Sequence, residues 1–341
     1  MLESGNEVAD EMSRDIASTS VPAAKPKLQV RVARITQEAE GIRAFELVSL
    51  VGDLLPPFTA GAHIEVHIEP GVIRSYSLSS DPADRSHYEI AVLREEGGRG
   101  GSRFMHDRVR EGDVLTISEP KNHFPLAGRE ARVHLLVAGG IGVTPMMAMI
   151  AELERKGARW HMHYLTRNSG RTAFRLRLAP LIAAGKVTLH HDNGDPQSGP
   201  GVASLLSDFE IGTHLYYCGP PGFMTACSNA LEAWPPHAIH REYFAAPVGV
   251  DHGENTAFEI KLKSTGQTLS VPAEKSIVEV LAEAGVIVET DCKDGYCGTC
   301  ITRYVSGQPE HRDTVLSEKE RKSYVMVCCA RARSGVLELD L

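Results

Sequence analysis

Short alternations of apolar and polar residues dominate the first third of the chain. Strict alternation occupies residues 64–68 (IEVHI), and similar short runs occupy residues 88–93 and 114–117. Gly, Pro and Asp, which favour turns, separate these runs. The pattern predicts a small antiparallel β-barrel over residues 28–128.

From residue 133 the pattern changes to continuous apolar runs that alternate with helix-like stretches. Residues 133–138 and 160–166 are strand-like, and residues 145–156 between them are typical of a helix. This rhythm continues to residue 244 and predicts a parallel sheet with helices on both faces, forming a domain over residues 129–245.

A third unit follows a stretch with little apolar content. Residues 246–255 contain Pro247, Gly249 and Gly253 and are typical of a linker. After it, strand-like residues 258–262 and 269–271 precede a helix-like segment at 276–284, which predicts a small α+β domain over residues 256–341. A length of 341 residues is consistent with three such domains.

Composition narrows the class of protein. The chain is 42% hydrophobic and 23% charged, with a net charge of -8 and no basic stripe, which argues against nucleic acid and anionic lipid as partners. No apolar run is long enough to span a membrane. Residues 1–27 lack the features of a secretory signal and are expected to be a disordered tail. We therefore expect a soluble, cytoplasmic protein that acts as a monomer.

Cysteines supply the strongest chemical signal. In a reducing compartment, seven cysteines are better explained by metal binding or burial than by disulfides. Four of them have the C-x4-C-x2-C…C spacing of a plant-type [2Fe-2S] site: Cys292, Cys297, Cys300 and Cys328. Gly295 and Gly298 would let backbone N–H groups approach the sulfurs. A structural zinc site is the alternative, but it usually pairs two C-x2-C units, and only one is present.

The fourth ligand is ambiguous from spacing alone, because Cys328 and Cys329 are adjacent. If the segment is a strand, their side chains point to opposite faces and only one can reach the iron. The C-terminal module resembles a plant-type ferredoxin. Aligning residues 326–332 (MVCCARA) with the closing segment of that family places Cys328 at the ligand position and leaves Cys329 for packing.

The first domain contains a candidate flavin site. Arg74, Tyr76 and Ser77 resemble the R-x-Y-S motif of the ferredoxin-NADP reductase superfamily. A guanidinium can bind a phosphate through two hydrogen bonds, while the tyrosine and serine can contact the ring system of the flavin. Gly101 and Ser102, in a glycine-rich segment before a helix, could bind the phosphate through backbone N–H groups. The alternatives are an ordinary barrel strand and a flexible loop.

Two strand-to-helix segments of the second domain indicate a nicotinamide dinucleotide. The first segment, GGIGVT, contains Gly139, Gly140, Gly142 and Thr144. Its glycines allow close backbone approach to a pyrophosphate at a helix N-terminus, and the absence of G-x-G-x-x-G disfavours an ordinary Rossmann dehydrogenase. The second segment matches the C-G-P motif of the superfamily at Cys218, Gly219 and Pro220.

Two further positions complete the nucleotide prediction. Thr166 ends a predicted strand of the same domain and is included among the nucleotide-binding residues. Asp192 follows another strand, where its carboxylate would lie near the adenosine ribose and repel a 2′-phosphate. NADH is therefore expected rather than NADPH.

The order of the three domains resembles the phthalate dioxygenase reductase family, the reductases of Rieske-type oxygenases, over residues 28–341. The resemblance implies FMN as the flavin, NADH as the hydride donor and a separate terminal oxygenase as a transient partner. It also implies that Cys218 lies near the nicotinamide and that an aromatic residue lies beside the flavin, a place matched by Tyr243 and Phe244, of which Phe244 is preferred. A flavin is needed because NADH gives two electrons together, whereas the cluster accepts one at a time.

Two other functions are alternatives to that of an oxygenase reductase. A free-standing or flavohaem-like flavin reductase would not need the cysteine spacing, and an electron carrier or redox sensor would not need the nucleotide motifs. The histidines at positions 161, 163, 190 and 191 are better explained as strand residues than as metal ligands. Lys293 and Tyr296, in the cysteine loop, are the residues we expect to face the partner.

Overall fold

The computed structural model describes residues 27–69, 72–97, 100–195, 198–245, 254–290, 292–314, 316 and 320–341. The predicted tail therefore lies outside the described residues except for Lys27. This residue is part of a β-strand and pairs with Ser118 of an antiparallel neighbour. Residues 246–253 of the predicted linker also lie outside them. Within the described ranges, no helix is long and apolar enough to cross a membrane.

The first module is an antiparallel barrel, as the alternating pattern predicts. Its strands are β1 (Lys27–Ala39), β2 (Ile42–Ser49), β3 (Ala62–Glu69), β4 (Val72–Ser77), β5 (His87–Leu93), β6 (Val114–Ser118) and β7 (Lys121–Asn122), with one helix, α1 (Gly101–Asp107). The strand order is β4-β3-β6-β1-β2-β5, and β7 pairs with β3. An antiparallel bridge between Leu78 and Ile90 joins the end of β4 to β5 and closes the barrel.

The second module is a five-stranded parallel sheet. Its elements are β8 (Val133–Gly139), α2 (Val143–Lys156), β9 (Trp160–Thr166), α3 (Arg175–Ala183), β10 (Val187–His191), α4 (Val202–Leu206), β11 (Thr213–Gly219), α5 (Pro221–Asn229) and β12 (Ile239–Tyr243). The order β10-β9-β8-β11-β12 places the reversal of strand order between β8 and β11. In such sheets ligands bind at the carboxyl ends of the strands beside that reversal.

Both faces of this sheet are covered, as predicted. Leu136 and Ala138 of β8 face one hydrophobic core, whereas Leu135 and Val137 face a second one with α5. The first of these cores also contains the buried residues of the barrel, such as Val30 and Ile64. Barrel and sheet are therefore packed as one unit.

The third module is a mixed sheet with a hydrophobic core of its own. Its elements are β13 (Phe258–Leu262), β14 (Thr268–Val271), α6 (Ile277–Glu283), β15 (Ile301–Glu310), β16 (Tyr324–Met326) and β17 (Arg331–Leu339). The strand order is β14-β13-β17-β15-β16, with β13 and β17 parallel. Ser276 and Glu279 form a capping box at the start of α6, within the predicted helix limits.

Candidate functional site

The three modules meet at a cleft of about 820 Å³. The barrel contributes Ser77 and His123, the segment at the end of β12 contributes Glu242 and Phe244, and the cysteine loop contributes Cys297. Residues from the predicted flavin and cluster sites therefore share one cavity with the segment that ends β12. Its lining combines aromatic residues, such as Phe244, with polar ones, such as Glu242, and cofactors typically bind in concave sites that contain both kinds of residue.

Glu242 is a polar group of this cleft that the sequence analysis missed. The Ser77 hydroxyl donates to Glu242 Oε2 at 3.0 Å, which joins the barrel to the sheet. Glu242 pairs in register with Cys218 of β11. Burial, reinforced by the Glu242 carboxylate, raises the pKa of the Cys218 thiol, so this side chain remains protonated. The sequence feature that could have identified Glu242 is its position two residues before the predicted flavin contact Phe244.

Phe244, which the resemblance predicts beside the flavin, is part of the cleft. It follows β12, lines the cleft and packs against the core that barrel and sheet share. Cys218 does not line the cleft itself but is linked to it through the adjacent Glu242. The two predicted catalytic residues are therefore near one another, on neighbouring strand ends.

The predicted phosphate-binding residues of the barrel lie together. A Cβ atom at Gly101 would be 2.7 Å from Cγ of Arg74, so the arginine side chain rests directly on this glycine. Gly101 begins α1 after Gly100, whose φ of 89° is left-handed. The Ser102 hydroxyl accepts a hydrogen bond from the Glu95 backbone N–H at 3.1 Å. A guanidinium beside a glycine at a helix start suits a phosphate group.

A second cavity, of about 400 Å³, opens beside this helix start. Gly100 and Gly101 line it together with three arginines, Arg94, Arg103 and Arg108. Strand β4 runs from this cavity to the cleft, since Arg74 contacts Gly101 while Ser77 lines the cleft. Burial raises the pKa of Tyr76, between them, so its phenol stays neutral. The arrangement fits a flavin with its phosphate outside and its ring toward the cleft.

The glycines of the two nucleotide motifs meet at the reversal of strand order. A Cβ atom at Gly142 would lie 2.1 Å from the carbonyl oxygen of Cys218, so only glycine fits there. Gly139 and Gly219 both lie beneath the Phe223 ring, which would contact added Cβ atoms at 2.9 and 2.5 Å. Phe223 was also missed by the sequence analysis.

Gly140 and Pro220 belong to the same edge. Gly140 has a left-handed φ of 53° and no neighbour that a Cβ would meet. Pro220 precedes α5 and would contact a Cβ of Gly139 at 3.1 Å. Thr144, in the first turn of α2, is buried and its hydroxyl donates to the Ile141 carbonyl at 3.0 Å. This hydrogen bond holds the loop before α2 in shape, and contact of Thr144 with a dinucleotide stays a prediction.

Thr166 and Asp192 lie at the same edge of the sheet but on the strands farther from the reversal. The Thr166 hydroxyl is within 2.8 Å of the Thr172 hydroxyl and 2.9 Å of His191 Nδ1. Asp192 Oδ1 accepts a hydrogen bond from the Gly194 N–H at 2.8 Å and so caps the turn after β10. Both side chains therefore shape this edge through their own hydrogen bonds.

The four predicted cluster cysteines lie together in the third module. The Cys292 thiol interacts with those of Cys297 and Cys328, and Cys300 interacts with Cys328. The backbone N–H groups of Asp294 and Tyr296 both approach Cys292 Sγ at 3.4 Å. Such amides stabilise thiolate charge.

Nowhere in the described part of the chain are three or more His, Cys, Asp or Glu side chains arranged to hold a single metal ion. The cluster assignment therefore rests on the cysteine spacing and on the pairwise thiol contacts.

The strand argument for the fourth ligand does not apply, because Cys328 and Cys329 lie in a turn after β16. Their environments still differ. Cys328 interacts with Cys292 and Cys300, as well as with Cys329. The Cys329 sulfur lies against Gly295, where an added Cβ would approach it to 2.5 Å. These contacts favour Cys328 as the ligand.

Two further predictions concern the residues that face a partner and the histidines of the parallel sheet. Tyr296 is half-buried and lines the cleft, whereas Lys293 is exposed, and contact of either residue with a partner stays a prediction. His163 and His190 are strand residues, as predicted, and their rings share a contact of 3.1 Å between Nδ1 and Nε2.

Comparisons with known proteins agree with this geometry. Residues 260–333 match the family described as 2Fe-2S iron-sulfur cluster binding domain. The chain is 46% identical to the tert-butanol monooxygenase / tert-amyl alcohol desaturase reductase subunit of Aquincola tertiaricarbonis, covering 93% of this chain and 97% of that protein. It is 43% identical to a vanillate O-demethylase oxidoreductase of Pseudomonas sp., covering 92% and 100%.

A solved structure covers the same extent. That of phthalate dioxygenase reductase, described as a modular structure for electron transfer from pyridine nucleotides to [2Fe-2S], is 40% identical with a TM-score of 0.69. The match covers 92% of this chain and 98% of that one, and so includes all three modules. The chain is therefore an oxidoreductase that belongs to the family of phthalate dioxygenase reductase and vanillate O-demethylase oxidoreductase.

Proposed function

We propose that the protein is the NADH-dependent reductase component of a Rieske-type oxygenase system. Electrons pass from NADH through FMN and a [2Fe-2S] cluster to a separate terminal oxygenase. The observation that carries the proposal is the cleft in which Ser77, Phe244 and Cys297 line one cavity. Residues that hold the flavin and the cluster then line one cavity, so electrons can pass between these two groups within the protein.

The residues present fit the flavin. Arg74 and the backbone around Gly101 bind its single phosphate, and Tyr76 and Ser77 hold the ring beside the cleft. The bound flavin supplies conversion of a two-electron hydride transfer into single-electron steps. Phe244 lines the cleft from the side of the sheet.

The nicotinamide binds where the glycine motifs meet. The backbone around Gly139 and Gly142 accommodates the pyrophosphate, and Gly219 leaves room for the ring beside Cys218. Cys218 remains a neutral thiol, so it contributes shape and a weak hydrogen bond rather than a charge. The Ser77–Glu242 hydrogen bond joins the barrel to the sheet at this point.

The carboxylate of Asp192 favours NADH. It follows β10, half-buried at the edge where the adenosine half of a dinucleotide would bind, and would repel a 2′-phosphate. kcat/KM with NADH should exceed that with NADPH, and Asp192→Ser should narrow the ratio. Equal values for the two nucleotides in the unaltered protein would contradict this part of the proposal.

Electron order can be tested by removing the third module. A chain ending at Pro247 keeps the shared core of barrel and sheet and should still bind FMN and reduce a small artificial acceptor with NADH. It should fail to reduce a Rieske oxygenase, because the cluster that delivers electrons is absent. The control is the full chain mixed with the same oxygenase in a stopped-flow instrument.

Two results would oppose the proposal. Efficient oxygenase reduction by the shortened chain would mean that the flavin delivers electrons directly. A full chain that reduces its own cluster with NADH but reduces no oxygenase would favour an electron carrier or redox sensor with another partner. Weak, transient binding to the oxygenase is expected, since electron-transfer partners bury small interfaces.

A further inference from the structure

We propose that His123 is a positioning residue that holds the cluster loop against the flavin barrel through Thr299. The proposal rests on the proposed function in one respect, namely that the cysteine loop holds the [2Fe-2S] cluster. His123 and Thr299 belong to different modules, 176 residues apart, and their Nε2 and Oγ1 atoms are 3.2 Å apart. A direct side-chain contact therefore joins the barrel to the segment between two cluster ligands.

The barrel presents His123 from a fixed position. It follows β7, which pairs with β3 through Ala62 and His63. The Asn122 side chain, one residue earlier, donates to the Ala60 carbonyl at 2.9 Å and to the Thr59 hydroxyl at 2.6 Å. The His63 ring lies 5.5 Å from the His123 ring, tilted by 35°. This support limits the motion of the imidazole.

Thr299 is also held in place, by its own contacts in the cysteine loop. Thr299 lies between Cys297 and Cys300, and its hydroxyl oxygen is 3.2 Å from Cys297 Sγ. When Cys297 is a cluster ligand it is a thiolate and can only accept, so a hydrogen bond at this contact uses the one hydrogen of the threonine hydroxyl. The oxygen then accepts a hydrogen bond, and His123 Nε2–H is the donor aimed at it. The chain of contacts thus assigns the proton of His123 to Nε2 and ends on a cluster ligand.

The cluster module does not share a hydrophobic core with the flavin half, so contacts across the cleft contribute to holding it there. Barrel and sheet share one hydrophobic core, whereas the cluster module has its own. Polar groups from both sides line the cleft between them, including Arg241 of β12 and Glu320 of the third module. Polar contacts across the cleft therefore contribute to the placement of the cluster module, and among them His123–Thr299 lies next to the cluster ligands.

Two effects should follow from removing the imidazole. First, the cluster module should spend less time in the docked position. One hydrogen bond of ordinary strength changes such an equilibrium by about tenfold, so flavin-to-cluster transfer should slow by up to about that factor. Second, the hydroxyl loses the donor that orients it toward Cys297 Sγ. A weaker hydrogen bond to the sulfur should make the cluster potential more negative.

The experiment compares His123→Ala and His123→Gln in the full-length holoprotein. The Gln amide can donate from Nε2 as the imidazole does, so it should restore the contact. Thr299→Ser, which keeps the hydroxyl, and Thr299→Val, which removes it, form a second pair. His87→Ala is the matched control, because it removes another barrel histidine whose ring pairs with Asp84 instead.

Three quantities are measured for each variant. Rapid mixing with NADH separates flavin reduction from the later reduction of the cluster. A mediator titration followed by electron paramagnetic resonance gives the cluster potential, and absorbance gives the flavin and cluster content. His123→Ala and Thr299→Val should slow the second phase and lower the potential, with the first phase unchanged. His123→Gln, Thr299→Ser and His87→Ala should behave like the unaltered protein.

Unchanged cluster reduction and an unchanged potential in His123→Ala would overturn the inference, as would loss of both in His123→Gln. If Thr299→Val fails to bind the cluster, the His123 pair decides, since those variants leave the cysteine loop intact. Because the potential is measured by chemical reduction, it tests His123 even if NADH proves not to be the donor. Failure of NADH to reduce the flavin would count only against the proposed function.

Discussion

Replacing Gly142 by alanine should damage the nicotinamide site without touching the other two cofactor sites. The added Cβ would lie 2.1 Å from the Cys218 carbonyl oxygen, 2.3 Å from its carbon and 2.7 Å from the Gly219 nitrogen. All three are backbone atoms, so no change of side-chain rotamer can relieve the contact. The ends of β8 and β11 must therefore move apart.

Inserting a methyl group into a well-packed region costs typically about 1–3 kcal/mol. Barrel and sheet share a core, so they should unfold together as a unit in which each kcal/mol shifts the melting temperature by roughly 2–4 °C. We therefore expect Gly142→Ala to lower the melting temperature of this unit by roughly 2–12 °C. Separation of the strand ends should also raise KM for NADH, because Gly219 and Cys218 move with the contact.

The assay combines thermal unfolding with steady-state reduction of an artificial acceptor at varied NADH. Gly222→Ala is the matched control, since nothing lies within 4 Å of an added Cβ and the residue is in helix α5. Alanine is the better helix former there, so its stability should be equal or higher. Flavin and cluster absorbance should be retained in both variants. An unchanged melting temperature and an unchanged KM in Gly142→Ala would refute the packing argument.

Three further predictions concern the other sites. Cys328→Ser should abolish the visible absorbance of the [2Fe-2S] cluster and Cys329→Ser should preserve it, since Cys328 is the residue in contact with Cys292 and Cys300; the reverse result would reassign the ligand. Arg74→Ala should weaken FMN retention by about 1.5–3 kcal/mol, the value of a hydrogen bond to a charged group, measured by flavin release on dilution; FAD rather than FMN in an acid extract would contradict the site. Burial, with smaller contributions from neighbouring histidines, lowers the pKa of His240 to about 4, so between pH 6.5 and 4 the unfolded chain binds more protons and stability should fall as pH falls. Melting temperatures at pH 5 and pH 7.5 should differ less in His240→Gln than in the unaltered protein, and an equal difference would count against this histidine.

Local patterns predicted much of the architecture because they depend on few residues. Period-two alternation over residues 64–68 lies within β3, and the capping pair Ser276 and Glu279 marks the start of α6. The glycine motifs were found separately, at Gly142 and at Gly219. Their meeting depends on the strand order, which puts β8 beside β11, and local sequence does not specify that order.

Residues whose roles depend on distant partners were missed. Glu242 bonds to Ser77, 165 residues away, and Phe223 covers glycines of both motifs. The turn at Cys328 was also not foreseen, because a short apolar run is compatible with either a strand or a turn. In each case tertiary packing decides, and it lies beyond the range of periodicity and spacing.

The position of β17 has a consequence for how the protein matures. This strand lies in the middle of the last sheet, paired with β13 on one side and β15 on the other, so the sheet cannot close before Leu339 has been synthesised. Cys300 is translated about 40 residues earlier, which at about 5–20 residues per second leaves a gap of roughly 2–8 s. During that interval the loop from Cys292 to Cys300 is present without the sheet that supports it. Cluster assembly should therefore follow translation of β17, and a thiol oxidised before that point would be lost as an iron ligand.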